Sequence, residues 1–229
     1  MLRTPITLTA AALAAALALS ACGTVRLGAA AVTNSSRVST ATVSAEVSNL
    51  DAAYKADKAK VQLQFPASQM PQEVLSWLLR FRVREKMAER YHLTITRGEV
   101  QAALASAAAQ AKQSGVTLSQ LAVANGVPPD QLPELGRYVA IQNQVLARLD
   151  GGTLPTSSGA LQSLGTQFNK SQCRAAKSMS IQVNPQFGRL DYSQVSVIAA
   201  PAKLAAGAGT ASPSPSASAT SSPQLTPAC

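Results

Sequence analysis

The chain has 229 residues, of which 46% are hydrophobic, 4% aromatic and 14% charged. This length accommodates one ordinary domain with a hydrophobic core plus a tail, and leaves no room for several large domains. The aromatic-poor, alanine-rich composition favours helices that pack closely through small side chains. The formal net charge of +9 suits anionic lipid head groups or anionic wall polymers, or simply a solvated basic surface.

The N-terminal segment predicts export and lipidation. Residues 1–21 place one basic residue, Arg3, before an uncharged Ala/Leu-rich run, which is the pattern of a secretory signal peptide. The run ends at residues 19–22 in Leu-Ser-Ala-Cys. This resembles the lipobox of bacterial lipoproteins, in which the cysteine is acylated and becomes the first mature residue. The alternatives are an ordinary signal peptide and an uncleaved membrane helix, although about 20 apolar residues are needed to span a bilayer.

These features predict an extracytoplasmic lipoprotein attached to the cell membrane through an acylated, palmitate-bearing Cys22. Residues 22–26 would then be the lipid anchor and a short linker. The lipid bilayer is the first expected partner. Export argues against nucleic acid as the partner of this basic chain.

The chain has three cysteines, and acylation of Cys22 would leave Cys173 and Cys229. Thiols outside the cytoplasm tend to oxidise, and two cysteines make one bridge. We therefore predict a disulfide between Cys173 and Cys229, which would tie the end of the C-terminal tail to the domain.

Short strands and one capped helix are expected at the start of the domain. The small apolar residues at 27–33 predict a strand, 34–36 a turn and 37–38 a brief return strand. Ser39 or Thr40 can cap a helix that reaches about Ala56. Its apolar stripe consists of Val43, Val47, Leu50 and Tyr54. Residues 61–70 contain Pro66 and no clear period, which predicts a loop.

The strongest helical signal begins at Pro71 and ends at residues 91–93. Apolar residues occupy two sides of this helix, which predicts that it is packed on both sides and is central to the fold. One side carries Val74, Trp77, Leu78 and Phe81, and the other carries Leu75, Leu79 and Val83. Its second half carries Arg80, Arg82, Arg84, Lys86 and Arg90. We interpret these basic residues as a solvated face rather than a dedicated anion site.

The remaining elements are predicted by capping and periodicity. Residues 96–99 and 117–120 fit capping boxes that start two helices, which end at Gly115 and at residues 125–126. Asp130 is expected to cap a longer helix that ends at 150–152. Its predicted buried stripe is Leu132, Leu135, Val139, Leu146 and Leu149. A helix is expected over 161–179, strands over 181–183 and 195–198, and disorder from 201 to 229.

Residues that could carry catalysis are scarce. His92 is the only histidine, and no second histidine or cysteine lies near it in the sequence to complete a metal site. The sequence contains no Gly-x-Ser-x-Gly elbow and no phosphate-binding glycine loop. Cys173 lies beside Arg174, but a structural or bridged cysteine is the favoured interpretation. We therefore predict no catalytic residue, no metal site and no cofactor.

Several segments resemble the N-terminal domain of SurA/PrsA-type extracytoplasmic foldases. The resemblance lies in residues 74–81 (VLSWLLRF), 91–96 (YHLTIT) and Glu99-Val100, preceded by the small-residue strand at 28–32 and the helix start at 39–47. Residues 183–191 (VNPQFGRLD) resemble the closing segment, which in that family pairs with the N-terminal strand. The resemblance covers residues 28–191. It implies a mainly α-helical domain over residues 27–200, with an N-terminal strand or hairpin paired to a C-terminal strand.

The sequence departs from complete foldases in one decisive respect. Those proteins insert a parvulin prolyl-isomerase domain before the closing segment, whereas only about thirty residues separate Asp150 from Ile181, and independent domains usually need at least ~50. Isomerase activity is therefore not expected. The Asn-Gly turn usual after the first strand is replaced by Asn-Ser-Ser at 34–36.

The leading functional hypothesis is a non-catalytic, chaperone-like lipoprotein that binds unfolded exported polypeptides. An apolar groove between helices would hold the client, with Trp77, Phe81, Tyr91 and Tyr138 as possible contacts, although large aromatic residues more often belong to the core. The alternative is a structural lipoprotein that recruits an envelope partner or anionic polymer through its basic surface. Hydrolase, isomerase and solute-binding functions are disfavoured, the last because the alternating strand–helix pattern of α/β folds is absent.

Overall fold

The computed structural model describes residues 28–152 and 158–199. In these ranges six α-helices and five short strands follow one another, which confirms the predicted mainly helical class. The helices are α1 (Thr40–Ala56), α2 (Met70–Arg90), α3 (Arg97–Gln113), α4 (Leu118–Ala124), α5 (Leu132–Leu149) and α6 (Ser158–Ser178). The strands are β1 (Ala29–Val32), β2 (Arg37–Ser39), β3 (Gln182–Val183), β4 (Arg189–Asp191) and β5 (Ser196–Ile198). The predicted signal peptide, Cys22, Cys229 and the tail predicted to be disordered lie outside the described residues.

A three-stranded antiparallel sheet joins the two ends of the domain. Its strand order is β2-β1-β3, with Ala31 opposite Val183 and Val32 opposite Gln182. The first three residues of β1 are alanines that are at most 1% exposed, so only small side chains fit between this strand and the helices. The predicted pairing of the N-terminal hairpin with a C-terminal strand is therefore confirmed.

The predicted capping residues explain where three of the six described helices begin. The Ser39 hydroxyl accepts a hydrogen bond from the Thr42 amide at 2.9 Å, which identifies Ser39 as the cap of α1. Both predicted capping boxes are present, with Thr96 and Glu99 at the start of α3 and Thr117 and Gln120 at the start of α4. Each pairs two backbone amides that the helix itself leaves without acceptors.

The prediction that Asp130 caps α5 is wrong. Asp130 lies in a 3-10 turn, Pro129–Gln131, and α5 follows Gln131 without a side-chain cap. The Asp130 carboxylate instead accepts a hydrogen bond from the Asn49 side chain of α1 at 3.0 Å. The Asp130 carboxylate, which the local sequence predicted to accept hydrogen bonds at the start of α5, therefore binds α1 instead.

Helix α2 occupies the centre of the fold, as predicted. It contacts α1, α5, α6 and β5, and Val74, Leu75 and Leu79 are each fully buried. The helix begins at Met70, one residue before Pro71, which lies in its first turn. A helix with neighbours on several sides needs apolar residues on more than one face, which accounts for its two apolar stripes.

The prediction of which residues of α5 are buried is wrong. The five residues of the predicted stripe are all partly exposed, whereas the fully buried side consists of Gly136, Ala140, Ile141 and Val145. The physical reason is the close approach of α3, because a Cβ atom at position 136 would overlap the side chain of Leu104. Small residues therefore face the neighbouring helix, and the leucines are partly buried against the two hydrophobic clusters of the core.

Candidate functional site

A groove lined by both apolar and polar side chains lies between α2, α5 and α6 and has a volume of about 610 Å³. Its lining consists of Trp77, Arg80 and Arg84 from α2; Tyr138, Gln142 and Leu146 from α5; Leu161, Leu164, Gly165, Phe168, Asn169 and Gln172 from α6; and Gln194 from the β4–β5 turn. Leu161 is 48% exposed, and among residues 28–152 and 158–199 it is the one large hydrophobic side chain that is exposed. Exposed apolar surface that is concave and rimmed by polar groups is typical of a binding site.

Three of the four predicted aromatic contacts form one cluster at this groove. The ring of Trp77 lies 5.7 Å from that of Phe81 and 5.6 Å from that of Tyr138, and the rings of Phe81 and Tyr138 are 6.0 Å apart. Trp77 also donates a hydrogen bond from its indole nitrogen to the Asn125 carbonyl oxygen at 2.7 Å, which fixes the ring. Trp77 and Tyr138 line the groove, whereas Phe81 is buried behind them.

Tyr91, the fourth predicted contact, lies outside the groove lining. It follows the last residue of α2, and its hydroxyl is 2.7 Å from the hydroxyl of Ser171 on α6. This contact joins two helices, so the position of Tyr91 is structural.

The side chain of Arg84 is buried, which contradicts its assignment to a solvated face. Arg84 is 3% exposed, and its guanidinium carbon lies 4.3 Å from the ring centres of both Tyr138 and Phe168. It donates hydrogen bonds to the Tyr138 hydroxyl and to the Gln142 side-chain oxygen. Because α2 is packed on several sides, position 84 faces α5 and α6 rather than water. Burial lowers the pKa of the Arg84 guanidinium below its usual range.

The other basic residues of α2 have separate surroundings. Arg80 lies over the Trp77 ring at 4.9 Å, and Arg82 donates hydrogen bonds to the Ser36 hydroxyl and the Arg37 carbonyl oxygen of the β1–β2 hairpin. Lys86 pairs with Glu89 at 2.8 Å. The predicted solvated face therefore describes Arg90, which is exposed, but not the whole series.

The β4–β5 hairpin positions one end of the groove. Buried Ser76 of α2 accepts a hydrogen bond from the Val197 amide at 2.8 Å, which fixes β5 on the central helix. Val195 is fully buried although its φ of 50° lies in the left-handed region that a β-branched residue rarely adopts. Burial of its side chain in the core offsets this strain, and the neighbouring Gln194 reaches the groove.

His92 occupies a capping position. It follows the C-cap residue Tyr91 and has a φ of 51°, and the Leu93 amide donates back to the Ala88 carbonyl oxygen at 2.9 Å, as in a Schellman cap. Among the described residues, no group of three or more His, Cys, Asp or Glu side chains could hold a metal ion.

Cys173 lies on α6, is 2% exposed and is disulfide-bonded. The other two cysteines of the chain, Cys22 and Cys229, are outside the described residues. The specific pairing of Cys173 with Cys229 therefore stays a prediction.

A second polar cluster joins α1 to the turn before α5. Glu46 is 8% exposed; one of its carboxylate oxygens accepts a hydrogen bond from Gln131 at 2.8 Å, and the other has no donor. Burial, followed by the nearby Asp130 carboxylate, raises the pKa of Glu46. The protonated form can donate to Asp130, whereas the ionised form faces another acceptor.

The substitution Glu46→Gln is expected to stabilise the fold near pH 7, by on the order of 1 kcal/mol, because it supplies a donor for Asp130 and removes a buried charge. Because the pKa of Glu46 is raised in the folded state, its stabilising contribution is complete below the unfolded value and is lost as the pH rises. The stability gained by Glu46→Gln should therefore be smaller at pH 4 than at pH 7.

Urea unfolding of both proteins at pH 7 and pH 4 measures this difference in stability. Glu89→Gln, at an exposed ion pair, is the charge-matched control, and an equal response of both variants would contradict the prediction.

Several groove residues are absent from the sequence-based prediction, namely Leu161, Leu164 and Phe168 of α6. Their spacing of three and four residues places them on one side of a helix, and this periodicity was the available signal. That this side faces a groove rather than a closed core depends on how α2 and α5 are separated and rotated relative to α6.

No helix within the described residues is long and apolar enough to cross a bilayer. No protein-family model, no curated protein and no solved structure matches the chain.

Proposed function

We propose that this protein is a membrane-anchored exported lipoprotein that holds unfolded segments of other exported polypeptides in the groove between α2, α5 and α6, without catalysis. The observation that supports this proposal is the groove itself, with Leu161 exposed at its edge. A concave surface that combines apolar side chains with a few polar groups is typical of binding sites.

The chemistry of the lining suits a polypeptide in an extended conformation. Leu161 is exposed and Trp77 and Leu146 are partly exposed, so these three side chains offer apolar contact for a client, with buried Leu164 and Phe168 behind them. The side-chain amides of Gln142, Asn169 and Gln172 line the same groove, and each amide can both donate to and accept from a peptide backbone. Such contacts bind many sequences, which is what a holding function requires.

The proposed anchor restricts where the groove can act. Gly28, where the described domain begins, is six positions after Cys22, and an extended chain spans at most about 3.5 Å per residue. An acylated Cys22 would therefore keep the start of the domain within roughly 20 Å of the lipid surface. Its clients would be polypeptides that emerge at, or remain near, the membrane.

Suppression of aggregation tests the proposal. The purified protein should slow the light scattering of a chemically unfolded secreted protein after dilution, and Leu161→Gln should remove at least about half of this effect because it places a polar group on the apolar contact. Leu118→Gln is the matched control, since Leu118 is partly exposed on α4 and does not line the groove. The proposal fails if the unaltered protein has no effect, or if Leu161→Gln performs as well as Leu118→Gln.

A further inference from the structure

We propose that the groove selects polypeptide segments in which a carboxylate side chain lies next to apolar side chains, and that Arg80 and Arg84 provide this selectivity. The inference rests on the proposed function and adds the chemistry of the preferred client. It follows from the distribution of charge in and around the groove.

The groove contains uncompensated positive charge. Its lining includes two arginines, Arg80 and Arg84, and no aspartate or glutamate. The ion pairs found among the described residues all lie elsewhere and join Lys55 to Asp51, Lys86 to Glu89 and Arg137 to Glu85. A ligand with a carboxylate would therefore meet two cations and no repelling anion.

The surroundings of Arg84 strengthen this argument. Its hydrogen-bond acceptors are the Tyr138 hydroxyl, the Gln142 side-chain oxygen and the Met87 sulfur, all of them neutral. Its Nε atom is buried and has no hydrogen-bond partner. Removing a guanidinium from water without a carboxylate to pair with it costs free energy. A methionine or leucine could occupy similar space without that cost, so the charge is best explained by an anion that binds beside it.

The two arginines have different parts in this proposal. Arg80 is partly exposed over the Trp77 ring, so a client carboxylate can contact it directly. Arg84 lies deeper, between the rings of Tyr138 and Phe168, and acts through its field, which is only weakly screened because the surroundings exclude water. The apolar neighbours of the carboxylate would then contact Leu161 and Leu146, which line the same groove and are not buried.

Matched peptides test the selectivity. Two dye-labelled twelve-residue peptides of alanine, leucine, phenylalanine and serine, with blocked ends, differ only in one central glutamate or glutamine. Fluorescence anisotropy with the mature protein should show about tenfold tighter binding of the glutamate peptide, the factor expected when one charge-assisted hydrogen bond replaces a neutral one. Arg80→Met and Arg84→Met should each reduce this ratio to about twofold or less, while Arg90→Met, with the same change in net charge outside the groove, should keep it.

Each outcome bears on the inference. Equal binding of both peptides to the unaltered protein overturns the selectivity and leaves the holding function intact, whereas absence of binding by both peptides overturns both. Loss of the ratio in Arg90→Met assigns the effect to the basic surface in general and overturns the role of the groove. Displacement of the peptide by anionic lipid vesicles would assign the groove to lipid instead. If Arg84→Met fails to fold, Arg80→Met decides, since the Arg80 side chain is partly exposed.

Discussion

Gly188→Ala is expected to lower the free energy of unfolding by at least about 2–3 kcal/mol, because the substitution combines backbone strain with a steric overlap. Gly188 precedes β4 and has a φ of 123°, in a region that residues with a side chain rarely adopt. A Cβ atom at this position would overlap the carbonyl oxygen of Ile198 in β5. The two strands could then pair only after a shift of the backbone.

Chemical denaturation followed by circular dichroism measures this loss. Gly159→Ala is the matched control, since a Cβ atom at position 159 meets no heavy atom within 4 Å, and its effect should be within about 1 kcal/mol and favourable, as for a glycine replaced in a helix. Because the hairpin places Gln194 at the groove, Gly188→Ala should also weaken client holding per folded molecule. A Gly188→Ala protein as stable as the control would contradict the account of this hairpin.

Leu79→Ala is expected to cost about 2–5 kcal/mol, the range for truncating a buried leucine. Leu79 is fully buried on the central helix α2 and belongs to the main hydrophobic core. The same truncation at Leu161, which is 48% exposed, should change the free energy of unfolding by no more than about 0.5 kcal/mol. The two variants remove the same atoms, so the difference measures burial alone.

The order of the two truncations should be the opposite for client holding, where Leu161→Ala should have the larger effect. Leu161→Ala should weaken suppression of client aggregation at unchanged stability, whereas Leu79→Ala, assayed where it is still folded, should retain the suppression. Urea unfolding and the light-scattering assay together give both quantities. If Leu161→Ala proved as destabilising as Leu79→Ala, the exposed apolar edge would be part of the core and the groove would lose its main support.

Local features of this fold could be predicted with good accuracy. Thr96 with Glu99 and Thr117 with Gln120 start helices because a hydroxyl and a carboxylate or amide three residues apart can satisfy two free backbone amides of the first turn. The first strand was predicted from its small residues, and its pairing with a C-terminal strand was an implication of the foldase resemblance. Strand β4 was not predicted, because Arg189–Asp191 forms a strand only through its pairing with β5.

Predictions that depended on which side of a helix meets a neighbour were weaker. The leucines of α5 have the correct period, but Gly136 and Ala140 face α3 because only small side chains allow the two helices to approach so closely. Asp130 has the right chemistry for a cap, yet its carboxylate is taken by Asn49 of α1. In both cases a distant segment changed the role that the local pattern indicated.

In the candidate site, too, some features follow from the local sequence and others depend on tertiary packing. The sequence by itself determined the six helices, most of their starts, the central position of α2, and Trp77 and Tyr138 as candidates for binding. Hydrogen bonds between residues close in the sequence and the apolar periodicity of a helix depend only on neighbouring residues, so both can be predicted from the sequence. Only the tertiary structure decided that Arg84 is buried between two rings, that Tyr91 pairs with Ser171, and that Leu161 is exposed at the edge of a groove. Those properties depend on how side chains from α2, α5 and α6 lie relative to one another. The separation and rotation of the three helices are set by packing, which no local sequence pattern specifies.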